Sequence, residues 1–293
     1  MAALVIRRKD MEERQSQSSP APANDAFWVR LKSALVLVPV VLAAIYFGGV
    51  LFSALVSLAC FVMIFEWTRM VEGRSLSLVF QVQTVGAAIA LYMASTMHFY
   101  AAFFTVFICG VAALILSRRI AGGKSWSAFA APYLIAPSVA LIWLRNEAVP
   151  GFELTVLLFA VVWAGDVGAY GFGKIVGGPR VNPALSPAKT WAGIFGAVLA
   201  GGVVGLGVAY FYTGGSPIWA FSVGGSLGAA SVLGDMVESA FKRIYGVKDI
   251  SNLIPGHGGA LDRLDGMIFA TIAITLVLYV YNILGNIQGN GLG

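Results

Sequence analysis

Three acidic side chains lie in apolar stretches of the chain. Asp166 lies within Trp163-Ala164-Gly165-Asp166-Val167-Gly168-Ala169-Tyr170, and Asp235 and Glu238 lie near the end of another apolar stretch. A carboxylate inside a bilayer costs at least about 2.5 kcal/mol on insertion scales, so each is expected to bind, react or pair with a charge. At helical spacing Asp235 and Glu238 share a face that Ser239 and Lys242 extend, and such a face would hold a cation or a phosphate. The plainer reading is a Glu238–Lys242 pair one turn apart, and exposed pairs of that kind contribute only about 0.3–0.5 kcal/mol. Asp235 has no basic neighbour at helical spacing, so that reading does not reach it.

The polar segment from Glu238 to Asp265 gathers what phosphate chemistry needs. Lys242, Arg243, Lys248 and Arg263 would neutralise phosphates, and Asp262 and Asp265 at i and i+3 would hold Mg²⁺, with Asp249 nearby. Backbone N–H groups of the turn Gly256-His257-Gly258-Gly259 have room to approach an anion, and His257 between glycines is expected to be accessible. An earlier segment, Gly177 to Trp191, places Ser186, Lys189 and Thr190 at the expected entrance of a helix, whose free N–H groups and dipole favour phosphate. A helix start with a snorkelling lysine competes with that reading. Gly171 and Gly173, close to Asp166 and Lys174, fit backbone access to an anion as well as helix packing; Gly224 to Gly228 fit close packing better.

The elements that must position these groups are membrane helices. Of the 293 residues 58% are hydrophobic and 11% charged, and the mean hydropathy is +0.82, far too apolar for one soluble core. Apolar runs of transmembrane length are expected at residues 31–47, 50–65, 78–97, 101–116, 127–144, 152–175, 191–212, 218–241 and 267–284. Nine spans with a cytoplasmic N-terminus put 18 of the 19 Lys and Arg residues on one face, Arg145 alone falling on the other, as the positive-inside rule requires. The net charge of +5 is thereby a topology signal, and no nucleic-acid partner is expected. Cys60 and Cys109 stand in apolar runs without C-x-x-C spacing, so neither disulfide nor zinc site is expected. No cleavable signal is expected before the first run. The fold class is an all-α polytopic bundle of nine transmembrane helices, with residues 1–25 a disordered cytoplasmic tail and residues 26–293 one catalytic membrane domain.

Residues Ser239 to Asp265 resemble the signature of phosphatidate cytidylyltransferases, also called CDP-diacylglycerol synthases. Ser239, Lys242-Arg243, Lys248-Asp249, Ser251, Pro255, His257-Gly258-Gly259, Asp262-Arg263 and Asp265 fall at its spacing. Trp163 to Tyr170, Gly234-Asp235 with Glu238-Ser239, and Ser186-Pro187 with Lys189-Thr190-Trp191 are similar to further motifs of that family; the N-terminal half matches only in hydropathy and in Glu66-Trp67. Ala188, Ala192 and Ala260 depart from the pattern, where a lysine, a glutamate and a larger aliphatic residue are usual.

The resemblance implies transfer of a cytidylyl group from CTP to phosphatidic acid, giving CDP-diacylglycerol and pyrophosphate for phospholipid biosynthesis. It also implies a homodimer in the bacterial inner membrane among membrane lipids, with the active site facing the cytoplasm. Under it the catalytic set is Asp166, Lys189, Asp235, Lys242, Arg243, Lys248, Asp249, His257, Asp262 and Arg263. Lys174, Ser186, Thr190, Glu238, Ser239, Gly258 and Gly259 would bind substrate. Asp235, Asp262 and Asp265 would hold Mg²⁺, as two divalent ions or as one with a monovalent cation, and Asp166 would complete the metal shell or orient Lys174. Two alternatives stay open: a related transferase acting on another lipid phosphate, and an ion-coupled transporter. The transporter reading predicts internal repeats and midplane polar groups on several spans, and the chain has neither in evident form.

Overall fold

The computed structural model describes residues 23–73, 76–120, 125–213, 216–247, 250–251, 253 and 258–290. Among them are nine α-helices: α1 (Ala23–Phe47), α2 (Gly49–Glu72), α3 (Leu78–Ser95), α4 (Phe99–Ile120), α5 (Ala136–Asn146), α6 (Gly151–Ile175), α7 (Trp191–Val208), α8 (Pro217–Ile244) and α9 (Leu261–Asn290). Each coincides with one expected span. With its lead-in, α5 spans Ser125–Asn146; that segment and the other helices apart from α1 are long and apolar enough to cross a membrane, while α1 has the shorter apolar stretch Leu35–Phe47. α1 already includes Ala23, Asn24 and Asp25, and the rest of the expected tail lies outside the described residues.

The fifth span is the irregular one. A 3₁₀ turn (Ser125–Phe129) and a π turn (Ala131–Ile135) precede α5, where Pro132 and Pro137 remove backbone donors and break the regular ladder. It is also the most enclosed: 78% of its apolar window is buried, against 28–39% for the other membrane-length spans. α3, α4 and α2 pack around it. Trp67, wholly buried, meets Phe241 at 4.8 Å between ring centroids, and Phe129 stacks on Tyr133 at 5.6 Å.

Arg145, the exception to the charge alternation, has a local use. Its Nε donates to the Ile45 carbonyl at 2.7 Å and its terminal nitrogen to the Tyr46 carbonyl at 3.0 Å. A cation there meets the negative end of α1 and satisfies carbonyls that the helix leaves unpaired. Beside it Asn146 accepts from Gly49 N at 3.1 Å, so the α1–α2 break is pinned by the end of α5.

α6, α7, α8 and α9 pack in succession. Between α6 and α7 the chain forms a hairpin, β1 (Arg180–Asn182) and β2 (Ser186–Thr190), antiparallel, with Asn182 opposite Ser186 and Arg180 opposite Thr190. Asn182 Oδ1 accepts from Ala184 N and Leu185 N at 3.1 and 3.3 Å, the side-chain turn that makes Asn favourable there. Ser186 to Lys189 approach the expected helix entrance as extended chain, and α7 starts at Trp191, where the seventh span was expected, with Thr190 as its cap, accepting from Gly193 N at 3.1 Å.

Candidate active site

α8 and α9 approach until only glycine fits between them. A side chain at Gly234 would run into the Asp265 carbonyl, and one at Gly266 into the Ser231 hydroxyl. Small residues at a helix crossing permit such backbone approach. Its consequence is chemical: Asp235 and Glu238 of α8 face Asp265 of α9, with ligand oxygens of all three within 4.8 Å of one another. Glu238 is 2% and Asp265 9% exposed, whereas the Asp235 side chain is 48% exposed.

Two lysines answer that negative charge. Lys189 on β2 pairs with Asp235 at 2.7 Å. Lys242, one turn beyond Glu238, pairs with it at 2.7 Å and reaches across to Asp262 Oδ1 at 3.1 Å. The Glu238–Lys242 pair of the plainer sequence reading thus exists, but buried and shared with α9 rather than exposed on one helix. Asp235, without a basic neighbour on its own helix, finds one on the hairpin.

A cavity of about 430 Å³ opens beside the cluster, lined by Asp166, Tyr170, Lys189, Asp235, Asp262, Arg263 and Asp265 among others. It combines carboxylates and cations drawn from α6, the hairpin, α8 and α9. Two unit charges about 4 Å apart interact by about 4 kcal/mol at an effective dielectric of 20, so three carboxylates this close call for cations. Glu238 Oε1 is buried with no hydrogen-bond donor in reach. That orphaned oxygen, and a donor set made only of carboxylate oxygens with one member open to solvent, fit a hard divalent cation.

The family model described as the Cytidylyltransferase family matches residues 28–281. The chain belongs to that family. Phosphatidate cytidylyltransferase of Brucella suis biovar 1 is 34% identical over 258 residues, covering 84% of this chain and 91% of the relative. The enzyme of that name from Haemophilus influenzae is 31% identical over 283 residues, covering 86% and 97%. That of Staphylococcus aureus is 39% identical over 129 residues, 44% of this chain and 50% of the relative.

In this cytidylyltransferase the residues expected from sequence take different positions relative to the cavity. Asp166, Lys189, Asp235, Asp262, Arg263 and Asp265 line it together. Asp262, expected as a metal ligand, has both oxygens engaged: Oδ1 with Lys242, and Oδ2 with Gly259 N at 2.9 Å and Ile250 N at 3.4 Å. Glu238, expected on the substrate side, stands with Asp235 and Asp265 instead. Arg243 is exposed and donates to the Leu185 carbonyl at 3.3 Å, tying the end of α8 to the hairpin tip. Lys174 is also exposed, 3.5 Å from the Tyr170 hydroxyl and over its ring, rather than set beside Asp166. Ser186 is half-buried within the hairpin and Ser239 half-buried on α8. Gly258 has φ +83°, a backbone region suited to glycine. The N–H of Gly259 already serves Asp262, so this part of the expected anion turn is spent within the protein. Lys248, Asp249 and His257 lie outside the described residues.

From the sequence Glu66 enters only through the Glu66-Trp67 match, with no role assigned to it. It is 1% exposed on α2 and accepts from Ala260 N at 3.0 Å, from Leu261 N at 2.8 Å and from the Ser251 hydroxyl. An acidic residue inside an apolar run was its signal, hidden because the second span was expected to stop at residue 65, whereas α2 continues to Glu72.

Proposed function

We propose that this cytidylyltransferase acts on CTP and phosphatidic acid. A phosphate oxygen of the lipid attacks the α-phosphorus of CTP, the bond from that phosphorus to the oxygen bridging to the β-phosphate breaks, and pyrophosphate leaves with the electron pair. The lipid phosphate is already anionic at neutral pH, so the barrier lies in bringing two polyanions together and in stabilising the leaving group. The observation that carries this reading is the cavity in which Lys189 and Arg263 stand beside a three-carboxylate cluster.

Asp235, Glu238 and Asp265 would hold Mg²⁺. When bound, the ion supplies positive charge to phosphate oxygens of the nucleotide. Lys189 and Arg263 face the cavity and neutralise charge that develops on the leaving pyrophosphate. Lys242, held between Glu238 and Asp262, fixes the cytoplasmic ends of α8 and α9 against each other. Tyr170 and Val162 of α6 form the wall from which water is displaced as substrate enters. The charge alternation supports a cytoplasmic opening, where CTP arrives from water while acyl chains remain in lipid, and the bacterial relatives support an inner-membrane location. The homodimer implied by the resemblance belongs to the same reading and is checked by the mass of the detergent-solubilised particle.

The test is the product. Purified protein given labelled CTP and Mg²⁺ should form a labelled lipid with phosphatidic acid and little with a polyprenyl phosphate. Preference for the polyprenyl phosphate would overturn the substrate assignment.

A further inference from the structure

The first turn of α9 takes its hydrogen-bond partners from a residue 195 positions earlier in the chain. A helix start leaves N–H groups without intrahelical acceptors, and a buried start needs acceptors from elsewhere. Glu66 supplies them to Ala260 and Leu261 and also holds Ser251, while Asp262 takes Gly259 N and Ile250 N. Two carboxylates thus clamp the end of the loop, one from α2 and one from α9 itself. A side chain at Gly259 would meet the Glu66 carboxyl, so the fit is close. Glu66 lies outside the cavity lining, yet the turn it caps carries Asp262, Arg263 and Asp265.

The glycine crossing at Gly234 and Gly266 brings α8 and α9 together one turn beyond the start of α9, and the Glu66 bonds act on that start itself. We propose that Glu66 is a positioning residue: its clamp fixes the rotation and axial position of the start of α9, so that Asp265 meets Asp235 and Glu238, and Asp262 meets Lys242. The N-terminal helices thereby control the geometry of a site to which they contribute none of the cavity-lining residues named above. For its activity readout this inference rests on the cytidylyltransferase reading; its other two readouts do not.

Full-length protein in detergent, as wild type, Glu66→Gln, Glu66→Met and Ser251→Ala, is followed in three ways. These are amide exchange at Ala260 and Leu261, Mn²⁺ affinity without nucleotide by electron paramagnetic resonance, and the Mg²⁺ midpoint of pyrophosphate release. Glutamine keeps one acceptor and methionine keeps none. Glu66→Gln is expected to speed exchange and raise both the Mn²⁺ dissociation constant and the Mg²⁺ midpoint about tenfold, and Glu66→Met about 100-fold, by analogy with loss of one or more bonds to a charged acceptor. Ser251→Ala, which spares the backbone bonds, should raise them about threefold. A smaller folded fraction lowers the rate without moving either midpoint, so unchanged Mn²⁺ affinity and Mg²⁺ midpoint in the folded variants would overturn the inference. Should neither Glu66 variant fold, Ser251→Ala decides in the same way. Wild-type protein inactive toward phosphatidic acid, with Mn²⁺ affinity and exchange shifting as described, would overturn the substrate reading while upholding the clamp.

Discussion

The helices before residue 150 and those after it are held by different contacts. Around the fifth span large side chains interlock, with Trp67, Phe129, Tyr133 and Phe241 forming one aromatic cluster. Between α6, α7 and α8 backbone meets backbone: side chains at Gly168, Gly201 and Gly228 would strike the carbonyls of Gly196, Gly224 and Ala197. Lipid gives two apolar helices no hydrophobic reason to associate, so close van der Waals approach must do it. Glycine contacts bring the axes near while leaving the polar ends of the same helices free to face one another. The side-chain-packed half acts as a frame, joined to the other through Phe241 and Glu66.

The comparison makes different demands on Asp265, in the cluster, and Glu72, in the frame. Asp265→Asn should lower turnover about 1000-fold, equivalent to about 4 kcal/mol of transition-state stabilisation. Glu72→Gln, at a half-buried acid bonded to Ser127 in the first half, should keep turnover of the folded protein within about threefold and lower stability by about 1–3 kcal/mol. Initial rates together with detergent melting curves distinguish the two. A turnover loss in Glu72→Gln as large as in Asp265→Asn would erase the distinction between frame and site.

Lys189→Gln removes the cation paired with Asp235 and facing the cavity. Turnover should fall about 100-fold, the scale of losing one preorganised charge-stabilising donor, without loss of melting temperature. Steady-state kinetics in CTP check this, and a change confined to KM would assign Lys189 to uniform binding of the nucleotide, with no contribution specific to the transition state.

The smallest effect tests the packing contrast itself. Gly224→Ala, which sets a methyl group against the Gly201 carbonyl, should cost about 2 kcal/mol of stability, as overpacking does. Gly207→Ala, with open space around it, should leave the melting temperature unchanged or slightly higher. Equal melting temperatures for the two variants would remove the backbone-contact account of the second half.

Much of this was legible in sequence because hydropathy and charge alternation are local signals. The spans follow from hydropathy, and Asp166, Asp235 and Glu238 stand out as acids in apolar stretches; Lys189 and Asp265 are read from spacing in polar segments, and the structure brings them to the same cavity as Asp166 and Asp235. Pairings are not local. Whether Lys189 meets Asp235 depends on a hairpin bending back over α8, and the extended form of Ser186 to Thr190 was concealed by the helix that follows. Asp262 and Asp265 looked equivalent at i and i+3; the turn at Gly259 and Lys242 claim the first, and the crossing at Gly234 turns the second toward Glu238. Glu66 acts across nearly 200 residues, a separation no spacing pattern conveys.

The central claim is that the three-carboxylate cluster and the cations beside it form one phosphate-transfer site. It is tested most directly by pyrophosphate release from purified protein with CTP, phosphatidic acid and Mg²⁺, with and without EDTA, in wild type and Asp235→Asn. Lipid-dependent release that vanishes in chelator, returns with added Mg²⁺ and is absent from folded Asp235→Asn is the predicted result. Release that persists in EDTA, or in Asp235→Asn at the wild-type rate, would contradict it.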